Sequence, residues 1–243
     1  MKPVIHELFV KPGLRNHPGR DMQAIDYITI HTTGNHNSGA TAEAHARFQY
    51  TGGGGRQASW HYTVDANEIW QSFRDQQMCW HTGTTRGNER SIGIEICVNS
   101  RDGFGFAVHK SAFLTAFLLK EHNLGVDKVV QHQSWSGKNC PAELRSKSWG
   151  ISWDDFLVLV RRHLQGEVAF LDEDLASQVI GSLRDARINF DEQHWQGVLR
   201  GTITPNRDWT TVLAGRIIEN RWSKFTPQVI GSAIMALLGQ RNL

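Results

Sequence analysis

SIGIEICV, at residues 91–98, is the stretch of this sequence that decides the fold. It is almost entirely apolar and rich in β-branched isoleucine, a composition typical of a strand buried near the centre of a sheet. Two other stretches predict strands as well. IDYITIH at residues 25–31 alternates apolar and polar side chains, and DKVVQH at residues 127–132 is a short run with two valines.

Helical and turn patterns lie between these strands. TAEAHARFQY at residues 41–50 consists of helix formers and ends at a run of four glycines. Further predicted elements are a β-hairpin from stretches 61–65 and 68–73, an amphipathic helix at 106–122, and a helix at 153–164 opened by Ser152. The alternation predicts an α/β fold for residues 1–166, with a mixed central β-sheet flanked by helices.

The composition and pattern of the sequence change after residue 166, where glycine-rich loops and strand patterns no longer occur. Four helical segments are predicted instead, at about 172–187, 191–200, 208–221 and 227–239. Asp191, Asp208 and Thr226 are suitable N-caps, and Pro227 suits the first position of a helix. Residues 167–243 are therefore expected to form a small all-helical C-terminal domain.

Composition and charge exclude several classes of protein. The net charge of +2 gives no broad basic field, so no nucleic-acid partner is expected. No run of about 18 apolar residues occurs, so no membrane insertion is expected. His6 and Glu7 interrupt the apolar stretches at the N-terminus, which therefore does not look like a secretory signal peptide.

The three cysteines are too few, and odd in number, for a disulfide framework. Cys79 and Cys97 lie in apolar, strand-like runs, where a buried free thiol behaves as a small hydrophobic side chain. Cys140 lies in the polar loop 136–141, where packing has no use for a thiol.

Cys140 and two histidines form a candidate zinc site. His31 ends the first clear strand, His132 ends the last one, and Cys140 follows eight residues later. Imidazole nitrogen and thiolate sulfur suit zinc, and three protein ligands leave a fourth position open, as in catalytic sites. The alternative is that these residues are ordinary packed or surface side chains, since the chain has twelve histidines.

Several short motifs occur in an order that resembles a known family. They are TIHTT at 29–33, HYTVD at 61–65, WHTG at 80–83, SIGIE at 91–95, and His132 followed by Cys140-Pro141. In this order they resemble the N-acetylmuramoyl-L-alanine amidase type 2 family, which includes phage endolysins and peptidoglycan recognition proteins. The resemblance covers about residues 20–165 and implies the fold of that family, but it does not extend to the helical tail.

The resemblance implies a zinc hydrolase (an endolysin) that acts on bacterial peptidoglycan. The bond cut is the amide between the muramic acid lactyl group and L-alanine, and the ligands of Zn²⁺ are His31, His132 and Cys140. Glu95 matches the position of a catalytic carboxylate, and Lys138 matches a position that assists the reaction. Burial would raise the pKa of Glu95 towards that of a general base, and Lys138 would stabilise an oxyanion. The alternatives are a salt bridge for Glu95 and a solvated loop position for Lys138.

Three further side chains are candidates for binding the substrate. His61 and His81 are expected either to line the cleft or to be packed, hydrogen-bonded histidines. Trp135 is expected either to form an aromatic wall for a sugar or only to pack. Some phage members of the family carry a tyrosine where this chain has Trp60, which favours Glu95 as the catalytic group.

Two other functions compete with this interpretation: a peptidoglycan-binding receptor that does not cleave, and a zinc peptidase that cuts within the stem peptide. The C-terminal helices are expected to bind the cell wall or to mediate homo-oligomerisation. Without a signal peptide, a phage enzyme would stay in the host cytoplasm until a holin releases it to the wall. The sequence leaves open the type of stem peptide, the target bacterium, the ligand of the tail, the oligomeric state, and a phage or prophage origin.

Overall fold

The computed structural model describes residues 2–101 and 103–165. The predicted helical domain at 167–243 lies outside these residues and stays a prediction. In the part that is described, no helix has the length and apolar character needed to cross a membrane.

A six-stranded mixed sheet forms the centre of the described residues and confirms the α/β prediction. Its order is β1-β4-β3-β5-β2-β6, and all pairs are parallel except the hairpin of β3 and β4. The strands are β1 (His6–Glu7), β2 (Tyr27–Thr32), β3 (Tyr62–Val64), β4 (Ile69–Gln71), β5 (Ser91–Ile96) and β6 (Val129–Gln131). The predicted central strand is thus β5, while the two-residue β1 carries no pattern that predicts it.

Within residues 2–101 and 103–165, six α-helices are connected to this sheet. They are α1 (Ala42–Tyr50), α2 (Thr85–Asn88), α3 (Phe104–Glu121), α4 (Gln133–Ser136), α5 (Ala142–Ser146) and α6 (Trp153–Gln165). Helices α1, α3 and α6 occur where the sequence predicts them. Thr41 caps α1 by accepting a hydrogen bond from the Ala44 N–H, as expected of a threonine at this position. Helices α2, α4 and α5 have only four or five residues, too few to show a helical period.

The main core lies on one face of β2 and β5. The isoleucines at alternate positions of both strands are fully buried there and pack with apolar residues of α3 and α6, including Leu118 and Phe156. Side chains of a strand alternate between its two faces, so Thr29, His31, Gly93 and Glu95 lie on the opposite face. This second face carries the polar groups described next.

Candidate metal centre and cleft

His31, His132 and Cys140 lie together at one edge of the sheet. The Nδ1 atoms of the two histidines are 3.0 Å apart, and Cys140 Sγ lies 3.8 Å from His31 Nδ1. All three ligand atoms lie within 4.8 Å of one another, and all three side chains are buried. Two ring nitrogens and a thiol therefore converge on one point.

The parallel pairing of the strands produces this convergence. In the sheet, Ile30 of β2 pairs with Gln131 of β6, so His31 and His132 follow the paired positions on adjacent strands. The chain then turns back through α4 and a left-handed glycine, Gly137, whose φ is 76°. The Gln133 N–H donates to the Cys140 carbonyl, which ties the returning loop to the end of β6.

The donor set fits zinc. Tetrahedral zinc at ordinary bond lengths separates two ring nitrogens by about 3.3 Å, and a nitrogen from a sulfur by about 3.6 Å. Both values are close to the distances found here. Burial lowers the pKa of His31 well below its ordinary value, so its ring is neutral, as a ligand must be. Burial also raises the pKa of Cys140 to about 12, so a thiolate at this place requires a nearby cation such as zinc.

Glu95 lies beside this trio, because it pairs with His31 across β2 and β5. Its Oε1 is 4.0 Å from His31 Nδ1, whereas its Oε2 is buried and has no hydrogen-bond partner among the described residues. Burial raises the pKa of Glu95 to about 8, against the opposing influence of the Lys138 charge. A carboxylate with one unpartnered oxygen and this pKa is suited to accept a proton at neutral pH.

Lys138 is exposed on the loop between α4 and Cys140, and its backbone carbonyl accepts a hydrogen bond from the Cys140 N–H. Its positive charge lowers the pKa of His31, His132 and Glu95, in each case as a smaller effect than burial. The structure thus brings all five residues of the expected reacting group to one place.

A cleft of about 740 Å³ opens in front of these residues. The metal trio contributes His31 and His132 to one part of its lining, together with Glu95 and Lys138. The remainder of the lining comes from the loop 33–40 before α1, from α1 itself and from the segments that follow it, including Ala44, His45, Phe48, Arg56, Trp60 and Trp80. Sequence patterns did not single out Phe48 or Arg56, since contact between α1 and the ends of the strands arises only in the folded chain.

The three candidate substrate-binding residues have different positions. His81 lines the cleft, but its ring nitrogens contact His31 Nε2 and the Ser91 carbonyl. His61 is fully buried and does not line the cleft: its Nε2 donates to the Gln77 carbonyl, and its Nδ1 accepts from the Gly93 N–H. These two bonds to the backbone occupy both nitrogens, so His61 is a packed histidine in this structure.

Trp135 is also outside the lining of the cleft. Its indole N–H donates to the Thr29 hydroxyl at 2.9 Å, and its ring makes an edge contact with Tyr27. Trp135 thus only packs, which is one of the two alternatives expected from the sequence. Its contacts join α4 to the start of β2.

Comparison with known proteins agrees with this geometry. A family model described as N-acetylmuramoyl-L-alanine amidase matches residues 21–143, which include the metal trio, Glu95 and Lys138. The chain is 41% identical over 150 residues to the N-acetylmuramoyl-L-alanine amidase XlyA of Bacillus subtilis, an alignment that covers 61% of this chain and 48% of XlyA. It is 39% identical over 152 residues to the amidase CwlH of the same organism, covering 61% and 58%. The chain thus spans about half the length of these curated relatives.

Solved structures are similar over the same part of the chain. The catalytic domain of XlyA superposes with a TM-score of 0.59 at 40% identity, covering 65% of this chain and 99% of that one. The solution structure of the PlyG catalytic domain gives a TM-score of 0.59 at 26% identity, covering 67% and 96%.

Proposed function

This chain belongs to the N-acetylmuramoyl-L-alanine amidase family, and on that premise we propose that it hydrolyses bacterial peptidoglycan as a zinc-dependent endolysin. The bond cut is the amide between the lactyl group of muramic acid and the L-alanine of the stem peptide. The observation that carries the proposal is the position of Glu95, which lines the cleft beside a His-His-Cys trio. Its buried Oε2 has no hydrogen-bond partner among the described residues.

His31, His132 and Cys140 would hold the ion. When bound, zinc supplies a Lewis acid that polarises the scissile carbonyl and makes water more acidic. Glu95 accepts the proton of the attacking water on its carboxylate, and the water oxygen forms its bond to the lactyl carbonyl carbon. Lys138 stabilises the negative charge that develops on the carbonyl oxygen. Glu95 then passes the proton to the alanine nitrogen as the carbon–nitrogen bond breaks, which leaves a lactyl carboxylate and a free amine.

Digestion of purified peptidoglycan tests this proposal. The protein is incubated with cell walls with and without a chelator, and the new ends are identified by mass spectrometry. We expect free lactyl carboxyl groups together with free alanine amino groups, and a loss of both in the chelator or in the Cys140→Ala variant. New reducing sugar ends, or cleavage that survives both treatments, would contradict it.

The same digestion separates the competing functions. A receptor that only binds peptidoglycan would release no new ends at any protein concentration. A zinc peptidase would release amino groups of stem-peptide residues other than L-alanine, again in a chelator-sensitive manner.

The proposal for residues 167–243 is that they target the protein to the cell wall. Residues 1–166 alone should then cleave peptidoglycan but bind intact walls more weakly than the full chain. Equal binding by the two proteins would remove the targeting idea. Homo-oligomerisation through this region, and holin-dependent release from a host cytoplasm, stay predictions.

A further inference from the structure

The ring nitrogen of His31 that faces away from the metal centre has a well-defined partner. His31 Nε2 lies 3.0 Å from His81 Nδ1, and the other nitrogen of His81 lies 3.1 Å from the carbonyl oxygen of Ser91. A carbonyl oxygen can only accept a hydrogen bond, so the proton of His81 is on Nε2. His81 Nδ1 is then a bare acceptor, and His31 must donate to it from Nε2.

These two hydrogen bonds, from His31 to His81 and from His81 to Ser91, determine which ring nitrogen of His31 is available to a metal. With its proton on Nε2, His31 presents a bare Nδ1 towards His132 and Cys140. With the opposite arrangement, a proton on His31 Nδ1 would point at the position of the ion and exclude it. The carbonyl of Ser91 therefore acts through His81 on the metal-binding nitrogen of His31.

The same loop also influences the second histidine ligand. The backbone of Thr82, the residue next to His81, raises the pKa of His132, against the larger lowering caused by burial. The loop therefore supplies a hydrogen-bond partner for the non-binding nitrogen of His31, through the side chain of His81. Such partners of the non-binding nitrogen orient a ligand and fix its tautomer.

Asn88 fixes the position of the dipeptide of His81 and Thr82. Its single Oδ1 atom accepts from the N–H groups of His81 and Thr82 at 3.0 and 2.9 Å, and the Thr82 hydroxyl lies 2.9 Å from the same oxygen. Asn88 is the last residue of α2, whose N-cap Thr84 is also bonded to the Thr82 side chain. The short helix therefore places one amide oxygen where it holds the dipeptide.

The sheet is shaped to admit the His81 ring. A Cβ at position 93 would lie 2.7 Å from His81 Nδ1, closer than a real side chain allows. Glycine in the interior of a central strand is unfavourable in itself, and a close approach by another group is a common reason for it. The glycine of the SIGIE motif is thus explained by the ring that lies against it.

From these contacts we propose that His81 and Asn88 are positioning residues of the metal centre: His81 sets the tautomer of His31, and Asn88 holds the loop that carries His81. The inference rests on the zinc site of the proposed function. It assigns His81 a role through His31 rather than a contact with substrate, and it assigns a role to Asn88, which no sequence motif had indicated.

Matched pairs of variants of the full-length chain test this assignment. His81→Phe keeps a ring against Gly93 but removes the acceptor, whereas His81→Asn retains an acceptor, because its oxygen and the lost Nδ1 are both bonded to Cγ. Asn88→Ala removes the oxygen that holds the loop, and Asn88→Asp keeps it. The control is His122→Phe, which breaks a 2.8 Å bond to Asp75 in a separate network.

The readout is the dissociation constant of zinc, measured by competition with a chromophoric chelator. Loss of a ligand's partner typically weakens metal binding about 10- to 100-fold, and we expect this for His81→Phe and Asn88→Ala. His81→Asn and Asn88→Asp should stay within about threefold of the wild type, since each keeps an acceptor atom at the required place. His122→Phe should do so because it leaves His81 and Asn88 unchanged. Thermal unfolding in the presence of chelator identifies any variant that has not folded. If His81→Phe does not fold, the comparison of Asn88→Ala with Asn88→Asp tests the inference instead.

Wild-type affinity in folded His81→Phe and Asn88→Ala would overturn the inference and leave the proposed function intact. A His81→Phe variant with unchanged zinc affinity but a raised KM at saturating zinc would also overturn the inference, and would indicate that His81 binds the substrate. A wild-type chain that binds no zinc would instead overturn the proposed function, and this inference with it.

Discussion

Replacing Glu95 with glutamine should weaken catalysis and strengthen the fold. Glutamine has nearly the same shape as a protonated glutamate, but it cannot accept the proton of an attacking water. A positioned general base contributes about 10²- to 10⁴-fold to a rate, so kcat on peptidoglycan should fall by a factor in this range. Zinc affinity should hardly change, because Glu95 Oε1 is 4.0 Å from His31 Nδ1 and Glu95 is outside the ligand trio.

The effect on stability follows from the raised pKa. Burial raises the pKa of Glu95 from 4.5 to about 8, so the folded chain holds this proton more tightly than the unfolded chain does. Stability is therefore lost as the pH rises from about 4.5 to about 8, and is lost in full above that range. A shift of this size corresponds to at most about 5 kcal/mol of unfolding free energy, which Glu95→Gln should recover at high pH.

Urea unfolding of the metal-free chain at pH 5 and at pH 9 measures this difference. At pH 5 the wild type and Glu95→Gln should be almost equally stable, and at pH 9 the variant should be the more stable. Glu43→Gln is the control, since Glu43 is an exposed partner of Arg47 on α1 and such pairs contribute roughly 0–1 kcal/mol. A Glu95→Gln variant that is no more stable at pH 9, or that retains wild-type kcat, would refute the reasoning.

Three further predictions concern the metal centre and the glycine beside it. Cys140→Ser should weaken zinc binding by more than the roughly 10- to 100-fold typical of a ligand's partner, because a ligand itself is lost, and chelator competition measures this. Lys138→Ala should lower kcat by about 10²- to 10³-fold with little change in zinc affinity, as expected for a lost oxyanion donor; a fall in affinity instead would indicate a structural role. Gly93→Ala should destabilise the chain by about 1–3 kcal/mol in thermal unfolding, because the added methyl group overlaps the His81 ring; an unchanged melting temperature would contradict that close approach.

The sequence was most informative where backbone pairing dictates position. His31 and Glu95 lie on strands that the sequence patterns predict, while the family resemblance indicates the role of Glu95. The pairing of β2 with β5 brings the two residues together without help from any loop. Cys140 was recognisable because a thiol in a polar loop has no packing role. These side chains belong to the elements whose period and composition are easiest to recognise.

Histidine roles were harder to predict, because they depend on which backbone atoms face the ring. His61 and His81 looked alike in the sequence, yet His61 bonds the backbone of Gln77 and Gly93, while His81 connects Ser91 to His31. No local pattern distinguishes these environments. The aromatic and basic lining of the cleft was missed for a related reason, since it comes from α1 and from loops distant in sequence.

The pairing of His31 with Glu95 also determines where the chain tolerates a change in length. Successive side chains of a strand point to opposite faces, so one residue inserted within β2 would turn His31 towards the isoleucine core and bring an apolar side chain to the cleft. The loop between α4 and Cys140 has no alternation of faces, but its length also sets the positions of Lys138 and of the Cys140 thiol. Natural and engineered variation in length should therefore be absent from residues 27–32 and 91–96.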